Sequence, residues 1–202
     1  MVYWTRKNLH IAFFVFIISI FSGCDVARQA QKATNLANCD FRILSVDQVD
    51  LAGVELQQIR SIDDLSMMDV ARILAGFTSP VFPLSLRLIL EGRNPNPEDA
   101  GLNSLEWILF IDDIQMTSGT MDTPVRIPPL SSASFPVEVG IDLKQVLSGK
   151  STDAMVNFCL NLTGNGSTPT RFKIKLKPTV IISGRPLTYP GYITVRPEFV
   201  SK

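Results

Sequence analysis

The sequence predicts a mainly β fold, an antiparallel β-sandwich carrying two short accessory helices. Three observations point there. Long central segments alternate apolar and polar residues with a period of two, turn signals separate them, and helical spacing is confined to two brief stretches.

The chain starts with a segment that is not part of that domain. Arg6 and Lys7 precede an unbroken apolar run from Ile11 to Ile20, and Phe21-Ser22-Gly23-Cys24 follows. A positive start, a short apolar stretch and small residues before a cysteine resemble a bacterial lipoprotein signal peptide. The run is well short of the roughly 20 residues that span a membrane. Residues 1–23 are therefore expected to be removed, leaving Cys24 as a lipidated N-terminus in the cell envelope. Residues 24–39 would form a polar tether, because 25–38 are rich in Ala, Gln, Asn and Lys and read as a solvated helix or linker. Residues 40–200 would form one domain.

Removing residues 1–23 from 202 leaves 179, enough for one domain with a real core. Arg6 and Lys7 leave with the leader, so 17 basic residues face 19 acidic ones, a net charge of −2. No basic excess argues for nucleic acid as a partner. The one histidine, His10, lies in the leader. Without histidine there is no Ser-His or Cys-His catalytic pair and no usual zinc site, so neither catalytic residues nor a metal or cofactor is expected.

Phe41 to Leu51 is β-like, with a slip of the period between Ile43 and Leu44 that marks a bulge. Ala52-Gly53 turns the chain into a weaker extended segment, Val54 to Ile62. Ser66 and Asp69 form a capping box opening a helix that Gly76 should end. Leu84, Leu86, Leu88 and Leu90 share one face of the next strand. Leu105, Trp107, Leu109 and Ile111 repeat the pattern, and so do Phe135, Val137, Val139, Ile141 and Leu143. Pro136 puts that last strand at an edge or beside a bulge.

After Gly149 the period becomes helical. Met155, Phe158, Cys159 and Leu162 define a helix over 152–162, with Ser151 as its cap. Phe172, Ile174 and Leu176 then point inward from a strand whose outer face carries Lys173, Lys175 and Lys177. Pro178 should interrupt it before Val180 to Ile182 resume, and Tyr189-Pro190-Gly191 leads to a last strand, Tyr192 to Val195.

At Arg93-Asn94-Pro95-Asn96-Pro97 a leucine-rich strand runs into an Asn-Pro-Asn turn. Ala100, Leu102, the strand Leu105 to Asp112, Gly119, Ile127-Pro128-Pro129 and Pro136 to Val139 follow. This stretch resembles the water-stress and hypersensitive-response (WHy) domain of the type 2 late-embryogenesis-abundant proteins, over roughly residues 40–143 and not beyond 150. The resemblance implies an immunoglobulin-like sandwich with a stress-protective, structural or binding role and no catalytic residues. Asn94, Pro95 and Asn96 are the family-motif turn. Locally, the prolines fix φ and the Asn side chains can satisfy backbone groups, so a rigid turn is favoured over a ligand contact.

Other candidates have plain explanations. Cys39 and Cys159 could pair in an oxidising compartment, but two separate buried thiols are the simpler reading. Asp63-Asp64 and Asp112-Asp113 suit helix caps and strand ends better than calcium. Glu98-Asp99 is expected in solvent. Ser131, Ser132 and Ser134 should lie in a loop with no base nearby. The Lys173, Lys175 and Lys177 face reads as protection of a sheet edge, with anionic headgroups as the lesser reading. The expected protein is thus non-enzymatic and attached to the membrane, at the outer membrane, by acyl chains on Cys24. Its partner would be another envelope protein or a lipid. The alternative is a carrier sheltering an apolar ligand between the sheets.

Overall fold

The computed structural model describes residues 27–111, 113–146, 156, 158–161, 163 and 171–195. A helix over 27–37 (α1) precedes the first strand, β1 (Asp40–Leu51), which turns back on the short β2 (Val54–Glu55). A 3-10 turn (Ile62–Asp64) and α2 (Met67–Thr78) lead to β3 (Pro83–Asn94). Then come β4 (Ala100–Leu102), β5 (Ser104–Ile111), β6 (Ile114–Met121), β7 (Val125–Ile127) and β8 (Ser131–Asp142). The four-residue α3 (Leu143–Val146) follows, and β9 (Phe172–Ile182), β10 (Arg185–Thr188) and β11 (Ile193–Val195) complete the order.

Two antiparallel sheets face each other. One runs β2-β1-β3-β8; the other runs β10-β9-β5-β6, with β11 beside the first half of β9. In immunoglobulin lettering, A-B-E (β1-β3-β8) opposes C′-C-F-G (β6-β5-β9-β11). β4 and β7 pair separately as a small ribbon. The expected antiparallel sandwich is therefore what forms.

Its inner faces come from the alternating strands. Leu84, Leu86, Leu88 and Leu90 of β3 and Phe135, Val137, Val139 and Ile141 of β8 are buried. So are Leu105, Trp107, Leu109 and Ile111 of β5 and Phe172, Ile174 and Leu176 of β9. β1 buries Ile43, Val46, Val49 and Leu51, a spacing of three, three and two. Two register shifts against β3 explain it, one between Ile43 and Ser45 and one between Asp47 and Asp50, where Gln48 has φ of 50°. The slip expected at Ile43–Leu44 is the first of these bulges.

Several local expectations are corrected. The extended segment after Val54 lasts two residues, because Ser61 caps a 3-10 turn through the amide of Asp63. α2 opens at the Ser66–Asp69 capping box as expected but runs through Gly76 to Thr78. There Gly76 serves close packing: a Cβ on it would lie 2.7 Å from the Ala52 methyl carbon. β9 is not broken at Pro178, which pairs with Leu105 and falls between the stretches covered by β11 and β10. At that gap the missing N–H costs no ladder bond. Ser131, Ser132 and Ser134 belong to β8, paired with β3, and not to a loop. Pro136 lies on an edge strand, as expected. Of the helix expected over 152–162, Val156 and residues 158–161 are helical, while Ser151, Met155 and Leu162 lie outside the described residues.

Candidate functional site

The richest polar architecture lies at the base of the sandwich, where β1 begins and β3 ends. Asn94 is fully buried at the last position of β3. Its Nδ2 donates to the carbonyls of Glu98 (2.8 Å), Ile127 (3.1 Å) and Pro128 (3.1 Å). Its Oδ1 accepts from the Asn96 backbone N–H (3.0 Å) and Nδ2 (2.7 Å). One amide thus joins the turn after β3 to the end of β7, satisfying groups that burial would otherwise orphan.

The same turn holds α1. Asn96 Nδ2 donates to the Asn35 carbonyl (2.9 Å), buried Asn35 donates from Nδ2 to the Asp99 carbonyl (3.0 Å), and Asn38 Nδ2 reaches Asn96 Oδ1 (3.3 Å). At the other end of α1, Gln29 Oε1 accepts from the backbone N–H of Ser183, in the β9–β10 turn (2.6 Å). Leu36 and Cys39 are buried in the core. The segment expected as a solvated helix or tether is a helix with most of its residues in solvent, docked on the domain through Gln29, Asn35, Leu36 and Cys39. Its polar composition hid this, because amides make the docking contacts.

Between α1 and the turn lies a cleft of about 670 Å³ lined by Arg28, Gln29, Lys32, Glu98, Asp99, Arg126 and Pro129. Arg28 and Lys32 are one helical turn apart and so share a face of α1. Arg126 pairs with Asp99, its guanidinium nitrogen 3.0 and 3.1 Å from the two carboxylate oxygens. Gly101 places that arginine: a Cβ there would lie 2.7 Å from the Val125 carbonyl oxygen, so a side chain would part the β4–β7 ribbon. The sequence marked Glu98 and Asp99 but not the basic side of the cleft. The spacing of Arg28 and Lys32 was its only legible trace.

The remaining candidates are dispersed. Cys24, Asp25 and Asp112 lie outside the described residues. Cys39 and Cys159 are free thiols, so the disulfide reading gives way to two buried cysteines. Cys39 Sγ is engaged with the Asn35 carbonyl at 3.3 Å, in the last turn of α1. Burial pushes its thiol up to about 11, and the Asp40 carboxylate adds to the rise. Burial alone raises Cys159 well above the ordinary thiol range. Asp64 completes the capping box of the 3-10 turn.

The lysine face exists, but β9 is an inner strand of its sheet, so edge protection does not explain it. Lys173 pairs with Asp113 (2.7 Å) and Lys177 with Glu106 (3.8 Å). Lys173 and Lys175 sit over the Phe110 ring, 4.6 and 5.2 Å from its centre, as cation–π pairs. Among the described residues, no group of three His, Cys, Asp or Glu side chains could hold a metal. No described helix is long and apolar enough to cross a membrane.

Solved structures align with much of the chain at low identity. A crystal structure of a protein from Archaeoglobus fulgidus shares 12% identity, covering 79% of this chain and 98% of its own, with a TM-score of 0.36. A solution structure described as a late embryogenesis abundant protein shares 12%, covering 91% and 87%, with a TM-score of 0.36. An X-ray structure of a Northeast Structural Genomics Consortium target shares 8%, covering 82% and 89%, with a TM-score of 0.38. No curated protein matches the chain in sequence. The resemblance read from residues 40–143 is shifted toward the C-terminus, since the segment after 150 takes part. Residues 90–188, from the end of β3 through β10, match the family described as Late embryogenesis abundant protein.

Proposed function

We propose that the chain is a non-enzymatic, lipid-anchored protein of the bacterial cell envelope, held at the outer membrane through Cys24. Its sandwich would be a late-embryogenesis-abundant domain with a structural, stress-protective or binding role. The observation that supports the role of the sandwich is the family match over residues 90–188, while the anchor rests on the sequence of residues 6–24 alone. The match takes in Asn94-Pro95-Asn96, the turn on which α1 is docked. That helix begins close behind the lipobox-like Phe21-Ser22-Gly23-Cys24, so the turn would fix the domain's orientation on its anchor. A carrier with a ligand between the sheets is the weaker reading. Leu88, Leu90, Leu105, Leu109 and Ile111, all at most 1% exposed, occupy that space.

Cys24→Ser tests the anchor. Acyl chains add about 0.8 kcal/mol of membrane affinity per buried methylene, and two or more give stable attachment. The variant should lose acyl labelling, keep its leader and migrate more slowly than wild type on electrophoresis. Unchanged labelling and mobility would overturn the lipoprotein reading.

A further inference from the structure

We propose that the cleft between α1 and the Asn-Pro-Asn turn is a binding site for the phosphoethanolamine headgroup of a membrane lipid. Arg28 and Lys32 would take the phosphate and Glu98 the ammonium. The proposal rests on the lipid-anchored reading given above.

Two observations select this occupant. The first is charge. Asp99 already neutralises Arg126 through both carboxylate oxygens. Among the described residues Arg28, Lys32 and Glu98 have no such partner, so the cleft offers two cations and one carboxylate. A purely anionic headgroup such as phosphoglycerol would meet Glu98 unfavourably. A zwitterion with phosphate and ammonium a short carbon chain apart satisfies both signs.

The second is where the chain leads. Only residues 25 and 26 separate Cys24 from the start of the described α1, and so few residues reach about 10 Å at most. Acyl chains on Cys24 would therefore hold Arg28 and Lys32 at headgroup depth. The hydrogen bonds from the Ser183 backbone N–H to Gln29 and from Asn96 to Asn35 keep α1 from swinging away. Individual contacts between exposed charges are weak. Tethering compensates, because a covalently anchored site meets its lipid at an effective concentration in the millimolar range.

Native mass spectrometry of the full chain, released from its membrane in mild detergent, reads both ideas in one spectrum. Acyl chains on Cys24 appear as covalent mass, and a headgroup-bound lipid as a dissociable adduct. With phosphatidylethanolamine or phosphatidylglycerol added in turn, the wild type should retain one phosphatidylethanolamine in preference. Arg28→Glu/Lys32→Glu should lower that retention about tenfold. Glu98→Gln should reverse the preference toward phosphatidylglycerol. All three side chains are on the surface, and tryptophan emission checks that the fold is kept. Equal retention of the two lipids, no adduct, or an adduct indifferent to the substitutions would overturn the cleft proposal while leaving the Cys24 mass to stand. Absent acyl mass with a selective adduct would overturn the anchor alone.

Discussion

Asn96 Nδ2 donates to the backbone carbonyl of Asn35 at 2.9 Å, joining the turn after β3 to the helix ahead of β1. Asn94 supports that bond from below by accepting both the Asn96 backbone N–H and its Nδ2. The two asparagines therefore divide the labour. Asn94 closes the base of the sandwich, and Asn96 attaches α1 to it.

Asn94→Asp separates hydrogen bonding from volume. The carboxylate keeps the shape and the two acceptor contacts but cannot donate to the carbonyls of Glu98, Ile127 and Pro128. Those oxygens would then face a buried negative charge. The expected loss is about 2–4 kcal/mol, from orphaned buried groups at about 1–3 kcal/mol each. Asn96→Ala, half-buried in the same turn, should cost less than half as much while loosening α1. Urea denaturation measures the first effect, and amide exchange of residues 27–37 the second. Equal stability losses for the two variants would contradict this division.

Trp107 packs on Gly119, its neighbour across the β5–β6 pair. Trp107 is buried, and a Cβ on Gly119 would lie 2.5 Å from its Cζ2 and 3.0 Å from its Cε2. Trp107→Ala should cost about 3–5 kcal/mol, and Gly119→Ala about 1–3 kcal/mol by overpacking. With the indole gone the added methyl has room, so the double variant should be more stable than additivity predicts. With Trp4 in the leader, Trp107 would be the sole tryptophan of the processed protein. Its emission should be blue-shifted and shielded from acrylamide; strictly additive costs or a red-shifted emission would contradict the packing.

The strands legible in the sequence bury one face completely. β3, β5 and β8 alternate because the opposing sheet covers every second residue. β6 was not legible, because Thr117, Ser118, Gly119 and Thr120 carry little apolar signal. The small Gly119 is there to admit the indole from the neighbouring strand. β10 was hidden similarly, with Arg185 and Pro186 exposed and its pairing dictated by β9. At the candidate site, Asn94-Pro95-Asn96 was visible as a turn, but its partner was not. Asn35 lies 61 residues from Asn96, and no local pattern encodes an amide-to-carbonyl contact across that distance. Arg126 reaches the cleft through the β4–β7 ribbon, another long-range pairing.

Gly76 gives a case where two known effects oppose. In a helix interior, alanine is favoured over glycine by about 1 kcal/mol. Here the added methyl would lie 2.7 Å from Ala52 Cβ and 3.2 Å from Phe82 Cδ2. Ala52 sits in a tight turn at φ of 53°, and Phe82 is fully buried with its ring set edge-on to Phe77, so neither can give way easily. Overpacking at about 1–3 kcal/mol should win. Gly76→Ala is expected to lower the urea midpoint, and Gly76→Ala with Ala52→Gly to recover part of the loss. A midpoint raised by the single variant would show that α2 shifts freely on the sheet.

Cys39 makes stability depend on alkaline pH. Its thiol is held up to about 11 in the folded chain by burial and by Asp40, against an ordinary value near 8.5 when unfolded. Below about pH 8.5 the thiol carries its proton in both states, and its contribution is intact. As the pH rises further, the unfolded chain gives up the proton first, so stability falls steadily until the folded thiol also ionises near pH 11. Buried Cys159 pulls in the same direction. Urea midpoints between pH 8 and 11 should therefore fall less steeply in Cys39→Ala than in wild type, and less steeply still in Cys39→Ala/Cys159→Ala. The lost side-chain volume offsets each curve by a constant, so the slope isolates the proton. Parallel curves for all three proteins would show that neither thiol is protected from ionisation in the folded domain.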